Sequence, residues 1–283
     1  MSGLDCTKWA LVVLWCVAVA SSGEAQEDLP RDDNLSSHDT VQTEPSPLRR
    51  VENRAFTVGE FLRFGIHFGF LKAGEAVMEI PDVIQVSNRD CYRIRFNVNS
   101  VGLFSVIYKV EDRYETCVDV LGLFPWRYEQ HIREGGYRRD IEAEFDQFAH
   151  IATTKGDEIP IPPYVHDIVS ALYFVRTLDF SDSRPGDTLQ LQQFYRDTTY
   201  SLIVKYRGIQ TIEVDAGEFR CIIVEPIVKE GGLFKQSGRI IIWMTDDGRK
   251  MPVKVVTKIP IGSVIAELEE YRGLLEPIES SVK

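Results

Sequence analysis

The side chains in this sequence that could do chemistry are spaced for structural roles rather than for catalysis. Ser170 has no Gly-x-Ser-x-Gly elbow around it and falls inside a helical run, where the strand-to-helix turn that exposes such a nucleophile is absent. It reads as a core or interface serine. Histidines 67, 131, 150 and 166 never fall into H-x-x-x-H or H-E-x-x-H spacing, so zinc has no local cradle, and no metal or other cofactor is expected. Two carboxylate pairs, Glu142/Glu144 and Asp246/Asp247, have the residue types for an acid/base couple. Glu142 and Glu144, however, share a fully charged strand face that must be wet, and Asp246-Asp247-Gly248 reads as a turn requiring positive φ. Lys72-Ala-Gly-Glu75 reads as hairpin chemistry, and no glycine-rich phosphate loop precedes a helix.

The most suggestive group is Asp167, Tyr173 and Arg176, which bracket an otherwise apolar helix; Tyr173 and Arg176, three apart, are neighbours on its surface. As a functional group they would be polar anchors at the mouth of a ligand cavity, since pockets combine apolar walls with a few placed polar groups. The plainer reading makes Asp167 a favourable charge at the helix N-terminus and Arg176 its counterpart at the C-terminus. Aromatic residues such as Phe64, Trp126 and Trp243 are numerous, and core packing accounts for them first.

The elements around these residues are mostly strands. In Tyr92-Arg-Ile-Arg-Phe-Asn-Val-Asn99, Tyr92, Ile94, Phe96 and Val98 face one way and the polar residues the other. Tyr137, Ile141, Ala143 and Phe145 likewise oppose Arg138, Asp140, Glu142, Glu144 and Asp146. Further strands are predicted over 59–69, 73–80, 104–117, 126–133, 189–195, 200–207, 209–215, 219–228, 237–244 and 252–258, with a hairpin at Thr245-Asp-Asp-Gly248. Residues 263–271 suit helix or strand, and strand is preferred. One helix breaks the pattern, at about 165–178, with Ile168, Leu172 and Val175 on one stripe. The expected fold is mainly β: a single curved, barrel-like antiparallel sheet packed around that helix.

At the N-terminus, Trp9–Ala20 is an unbroken apolar run of twelve residues after Lys8. That length suits the core of a signal peptide and is too short for a bilayer span, the alternative being a short uncleaved anchor. Small residues place cleavage after Ala20 or Ala25, giving residues 1–25 as signal peptide. Cys16 follows bulky Trp15 within the run, which argues against a lipid anchor. Residues 26–55 read as a disordered acidic leader, 56–275 as one β-rich domain and 276–283 as a flexible tail. The mature chain is expected to be exported to the periplasm or beyond, with no integral membrane span. The formal net charge of −11 argues against nucleic acid as a partner. The signal peptide would remove Cys6 and Cys16, leaving Cys91, Cys117 and Cys221. Their spacing resembles neither a metal knuckle nor a redox pair, and they read as buried single thiols.

Several segments together resemble an exported bacterial family known as domain of unknown function 3108. They are Phe56-Thr-Val-Gly-Glu-Phe-Leu-Arg-Phe64 with Leu71-Lys-Ala-Gly-Glu-Ala76, Asp167-Ile-Val-Ser-Ala-Leu-Tyr-Phe-Val-Arg176, Val214-Asp-Ala-Gly-Glu-Phe219, and Ile242-Trp-Met-Thr-Asp-Asp-Gly-Arg-Lys-Met-Pro252 followed by Gly262-Ser-Val-Ile-Ala-Glu-Leu268. The resemblance implies a β-rich envelope domain with one helix inside a curved sheet and implies no activity. The leading expectation is a non-enzymatic envelope protein binding an apolar or amphipathic molecule or an envelope partner. The competing one is a hydrolase or lyase acting on envelope polysaccharide or peptidoglycan, its site assembled from distant residues.

Overall fold

A computed structural model of the chain describes residues 47–229, 239–259, 262–275 and 278–282. The expected signal peptide and residues 26–46 of the expected leader lie outside the described residues.

Two antiparallel meanders meet side by side to make one sheet. The first runs β1 (Phe61–Phe68), β2 (Leu71–Val86), β3 (Arg89–Ser100), β4 (Glu111–Asp119), β5 (Pro125–Glu134), β6 (Tyr137–Asp146), β7 (Ile151–Thr154) and β8 (Asp157–Pro160). The second runs β9 (Thr188–Tyr195), β10 (Thr198–Val214), β11 (Gly217–Lys229), β12 (Ile240–Thr245), β13 (Pro252–Ile259) and β14 (Gly262–Arg272), and β14 pairs with β1 to join the two. Sequence-distant strands thus meet at the centre of the sheet, while β8 and β9 are its edges. Residues with buried interior faces alternate along the strands as expected. On β3, Ile94 and Val98 are buried, while outward Arg93 and Arg95 pair with Asp82 and Glu115. On β14, Val264, Ala266 and Leu268 are buried at every second position, which fits the strand reading of 263–271.

Register shifts at Arg63/Phe64, Ile66/His67, Glu79/Asp82, Cys117/Val118, Tyr206/Gly208 and Trp243/Met244 interrupt the ladders. Extra residues of this kind bend strands and increase their twist, and so curve the sheet. The shift at Tyr206/Gly208 also explains why two expected strands, 200–207 and 209–215, are one continuous β10. The curved sheet is not closed by its edge strands. The chain between β8 and β9 instead pairs with β9: His166 N donates to Gln192 O at 2.9 Å and Phe194 N donates to His166 O at 2.8 Å.

Two helices are described. α1 (Gly102–Ile107) stands where the expected strand 104–117 was to begin, and that strand is β4, starting only at Glu111. Its Leu103, Val106 and Ile107 are exposed, so an apolar run read as the start of a strand is in fact a surface turn of helix. α2 (Ile168–Arg176) is the expected helix, shorter than 165–178 at both ends; Asp167 caps its start, where the carboxylate accepts from Val169 N at 2.8 Å and Ser170 N at 3.0 Å.

Other local expectations change as well. The β7–β8 hairpin was not foreseen. Lys72-Ala-Gly-Glu75 is not a turn; it lies within β2, where Lys72 Nζ pairs with Glu75 and Glu269, and the β1–β2 reversal falls at Gly69 and Phe70. Gly74 is needed there because a Cβ would sit 2.7 Å from the Asn99 carbonyl oxygen. In the β12–β13 hairpin the positive φ belongs to Lys250 (φ 43) rather than to Gly248, and Asp247 Oδ1 holds the loop by accepting from Arg249 N and Lys250 N.

Packing extends beyond residues 56–275. Ala55 is buried and Arg49 donates to the carbonyls of Gly122 and Leu123. Ser281–Val282, in the expected tail, form β15 against β11.

Candidate functional site

α2 lies inside the curved sheet and presents two different faces. One face, carrying Ile168, Ala171, Leu172 and Val175, borders a cavity of about 170 Å³. The opposite wall comes from alternate residues of facing strands: Phe64 and Ile66 on β1, Ala76 and Met78 on β2, Phe96 and Val98 on β3, Leu202 and Val204 on β10, Ile240 and Ile242 on β12. The period of two that buries one strand face therefore also makes a continuous apolar wall. Among the described residues, Gln193 of β9 is the one polar side chain in the lining. The space is far larger than a single water requires and offers almost nothing for water to bond. Half-buried Phe96, Ile168, Leu172 and Ile242 are among the lining residues.

The other face of α2 carries the polar residues singled out from the sequence. Arg176 and Tyr173 converge on Glu60, just before β1, and all three are buried. Arg176 donates to both Glu60 oxygens at 2.7 Å, and to the carbonyls of Ala55 at 3.1 Å and Arg249 at 3.2 Å. Tyr173 Oη donates to Glu60 Oε1 at 3.2 Å. Burial opposes the Arg176 charge, but Glu60 outweighs it and raises the guanidinium pKa. Burial, reinforced by Glu60, holds the Tyr173 hydroxyl well above its usual range. Asp167 stands apart at the N-terminus, where Thr116 Oγ1 donates to it at 2.7 Å; burial raises its pKa against that bond and the two backbone donors. None of the three lines the cavity. The structure joins Tyr173 and Arg176 through Glu60, a residue whose partnership with a helix more than a hundred positions away leaves no local signal in Val58-Gly-Glu-Phe61.

A second polar group surrounds the start of α2. His166 Nδ1 is 3.3 Å from Ser170 Oγ, and that hydroxyl donates to Asp167 O at 3.2 Å. All are buried, and Arg49, 3.3 Å from His166 Nε2, lies over the rings of Tyr164 and Phe174 on the outer side. Burial, with Arg49 adding to it, pushes the His166 pKa down to about 3, so this imidazole is a neutral core group. A serine and histidine at this distance resemble a catalytic pair, but neither lines the cavity, and the serine hydroxyl already donates to the Asp167 carbonyl.

The remaining candidates are surface or core features. Glu142 and Glu144 are exposed, and Asp246 pairs with Arg220 at 3.0 Å. Cys91, Cys117 and Cys221 are buried free thiols, raised to about 12, 11 and 12, chiefly by burial. Among the described residues no group of three or more His, Cys, Asp or Glu could hold a metal, and no helix is long and apolar enough to cross a membrane. Sequence reasoning missed the buried pair Asp112 and Glu134. Burial, and then the neighbouring Asp112, raises Glu134 to about 9.

With a curved open sheet, one internal helix and an apolar chamber between them, the chain can be compared with known proteins. The match to the family described as Protein of unknown function (DUF3108) spans residues 63–269. The chain belongs to that family. Among curated proteins nothing matches it. Among solved structures, the DUF3108 chain is similar to a β-barrel-like protein of domain of unknown function DUF1849 from Brucella abortus. The identity is 8%, the TM-score 0.51, and the match covers 78% of this chain and 98% of that one. It is also matched to a protein described as a lipoprotein from Parabacteroides distasonis (9% identity, TM-score 0.32, 80% and 100% covered). A third match is a protein described as exported, with a YmcC-like fold, from Bacteroides fragilis (13% identity, TM-score 0.29, 80% and 100% covered). At these values the Brucella likeness supports the barrel-like fold of the DUF3108 chain and carries nothing about activity.

Proposed function

We propose that this protein is a non-enzymatic binding protein of the cell envelope that holds an apolar or amphipathic molecule between its curved sheet and α2. The observation that carries this reading is the chamber of about 170 Å³ whose lining, among the described residues, is apolar except for Gln193. An empty apolar space forfeits dispersion contacts that close packing would supply, and its cost rises with its volume. A ligand that fills it recovers those contacts. Asp167, Tyr173 and Arg176 serve this site indirectly, by fixing the helix that forms one wall. Export is supported by the Trp9–Ala20 apolar run and the small residues at Ala20 and Ala25, and it places the ligand among envelope components.

Mass spectrometry of the natively purified full chain tests the proposal. A co-purifying apolar molecule, released on unfolding and absent from a control protein, is expected. A chain that arrives empty and takes up no apolar compound at micromolar concentration would remove the ligand-carrying function.

A further inference from the structure

The cavity contains one group that its own walls do not explain. Gln193 is 8% exposed and is the sole polar side chain of the lining among the described residues. Its backbone is fixed from two sides, by pairing with Tyr200 on β10 and by the parallel bridge to His166. Leu191 and Gln193 alternate on the strand face whose β10 partners include Leu202, and Leu202 is itself a lining residue. Its carboxamide makes no hydrogen bond to any of the described residues. A primary amide offers two N–H donors and a carbonyl acceptor, and neither Gln193 amide atom is among the fully buried ones left without a partner, so the group is open to whatever occupies the chamber. An apolar residue here would complete a uniform wall, so the amide is out of keeping with a purely hydrocarbon ligand.

We infer that Gln193 is the head-group contact of the cavity, and that the bound molecule is a neutral acyl compound whose carbonyl meets the Gln193 amide. This rests on the cavity being a ligand site. Among the described residues no charged side chain lines the chamber, so an ionised carboxylate would lose its hydration with only one amide to replace it. A neutral ester accepts one N–H from Gln193. A neutral acyl amide both accepts and donates, engaging both ends of the side chain, and is the better match. The strand places the amide against the surface that would hold the hydrocarbon, so one molecule can satisfy both.

The test is displacement of the fluorescent apolar probe N-phenylnaphthylamine from the purified full chain by a matched ten-carbon series: decanamide, methyl decanoate, decanoate and decane. Decanamide is expected to bind about tenfold more tightly than decane, the scale of one well-made neutral hydrogen bond, with the ester between them and ionised decanoate weakest of the polar three. In Gln193→Leu the preference for decanamide over decane should disappear while decane binds as well as before. Equal binding of decane and decanamide to the unmutated chain, or a preference surviving in Gln193→Leu, overturns the head-group assignment and leaves the cavity reading standing. Failure of the probe and the whole series to bind the unmutated chain overturns both. The comparison within the unmutated chain needs no variant to fold.

Discussion

Arg176 on α2 and Glu60 at the entrance to β1 form a two-pronged ion pair, each hydrogen bond 2.7 Å long, with both side chains sealed from solvent. Their attraction opposes the large cost of burying two charges, and the Ala55 and Arg249 carbonyls use further guanidinium protons. The pair ties the internal helix to the centre of the sheet, where β1 joins the two meanders.

Removing one partner should therefore be far worse than removing both. Arg176→Met or Glu60→Leu alone is expected to cost about 3–5 kcal/mol by stranding a buried charge, and the double variant distinctly less than the sum of the two. Urea unfolding followed by tryptophan fluorescence measures this. Single variants costing under about 1 kcal/mol, the level of a surface pair, would show that the pair does not anchor α2.

Two buried groups predict opposite pH slopes. Glu134 titrates near 9 in the folded chain against an ordinary 4.5, so the unfolded chain loses this proton first. Its contribution makes stability fall as pH rises between those values. His166 titrates near 3 against an ordinary 6.5, so the unfolded chain takes up a proton first as pH drops, and stability falls between 6.5 and 3. Thermal melts across pH 3–9 should show Glu134→Gln gaining on the parent at high pH and His166→Gln gaining on it at low pH. Melting curves that shift in parallel at every pH would contradict both assignments.

Cys91, Cys117 and Cys221 are buried and their thiols are held near 12, 11 and 12. At pH 8 the folded chain should leave all three unmodified by iodoacetamide over a period that fully labels them in urea, because the thiolate is the reactive form. Site-resolved mass spectrometry reads this directly, and rapid native labelling of any of the three would contradict it.

Gly74→Ala should destabilise the β1–β2–β3 region, since the new Cβ would stand 2.7 Å from the backbone oxygen of Asn99, which cannot swing away. A loss of about 1–3 kcal/mol is expected from such overpacking. A neutral or stabilising result would mean the strands separate there without cost.

What the sequence made legible was whatever depends on near neighbours. The alternation at Tyr92–Asn99 and the stripe at Ile168, Leu172 and Val175 are local periods, and both elements are present. α1 was misread because the apolar run Leu103, Phe104, Val106 and Ile107 looks like the start of a strand, whereas Leu103, Val106 and Ile107 are exposed on a helix. The β7–β8 hairpin was missed because four-residue strands offer too few positions to show a period. At the site, Asp167 was visible as a helix-start residue, but Glu60 was not, since its partnership with Arg176 exists only once β1 reaches the middle of the sheet. Gln193 sits in Leu189-Gln-Leu-Gln-Gln-Phe194, where glutamines occupy both faces of the strand and nothing marks the one that turns inward.

The central claim, that the chamber beside α2 binds an apolar molecule, is tested most directly by filling it. Leu172, a half-buried lining residue, replaced by Trp should place the larger ring in the cavity. Titration with N-phenylnaphthylamine should show saturable binding to the unmutated chain and at least a tenfold weaker affinity in Leu172→Trp, with the melting temperature unchanged or raised. Equal binding by both chains, or no saturable binding by the unmutated one, would contradict the account.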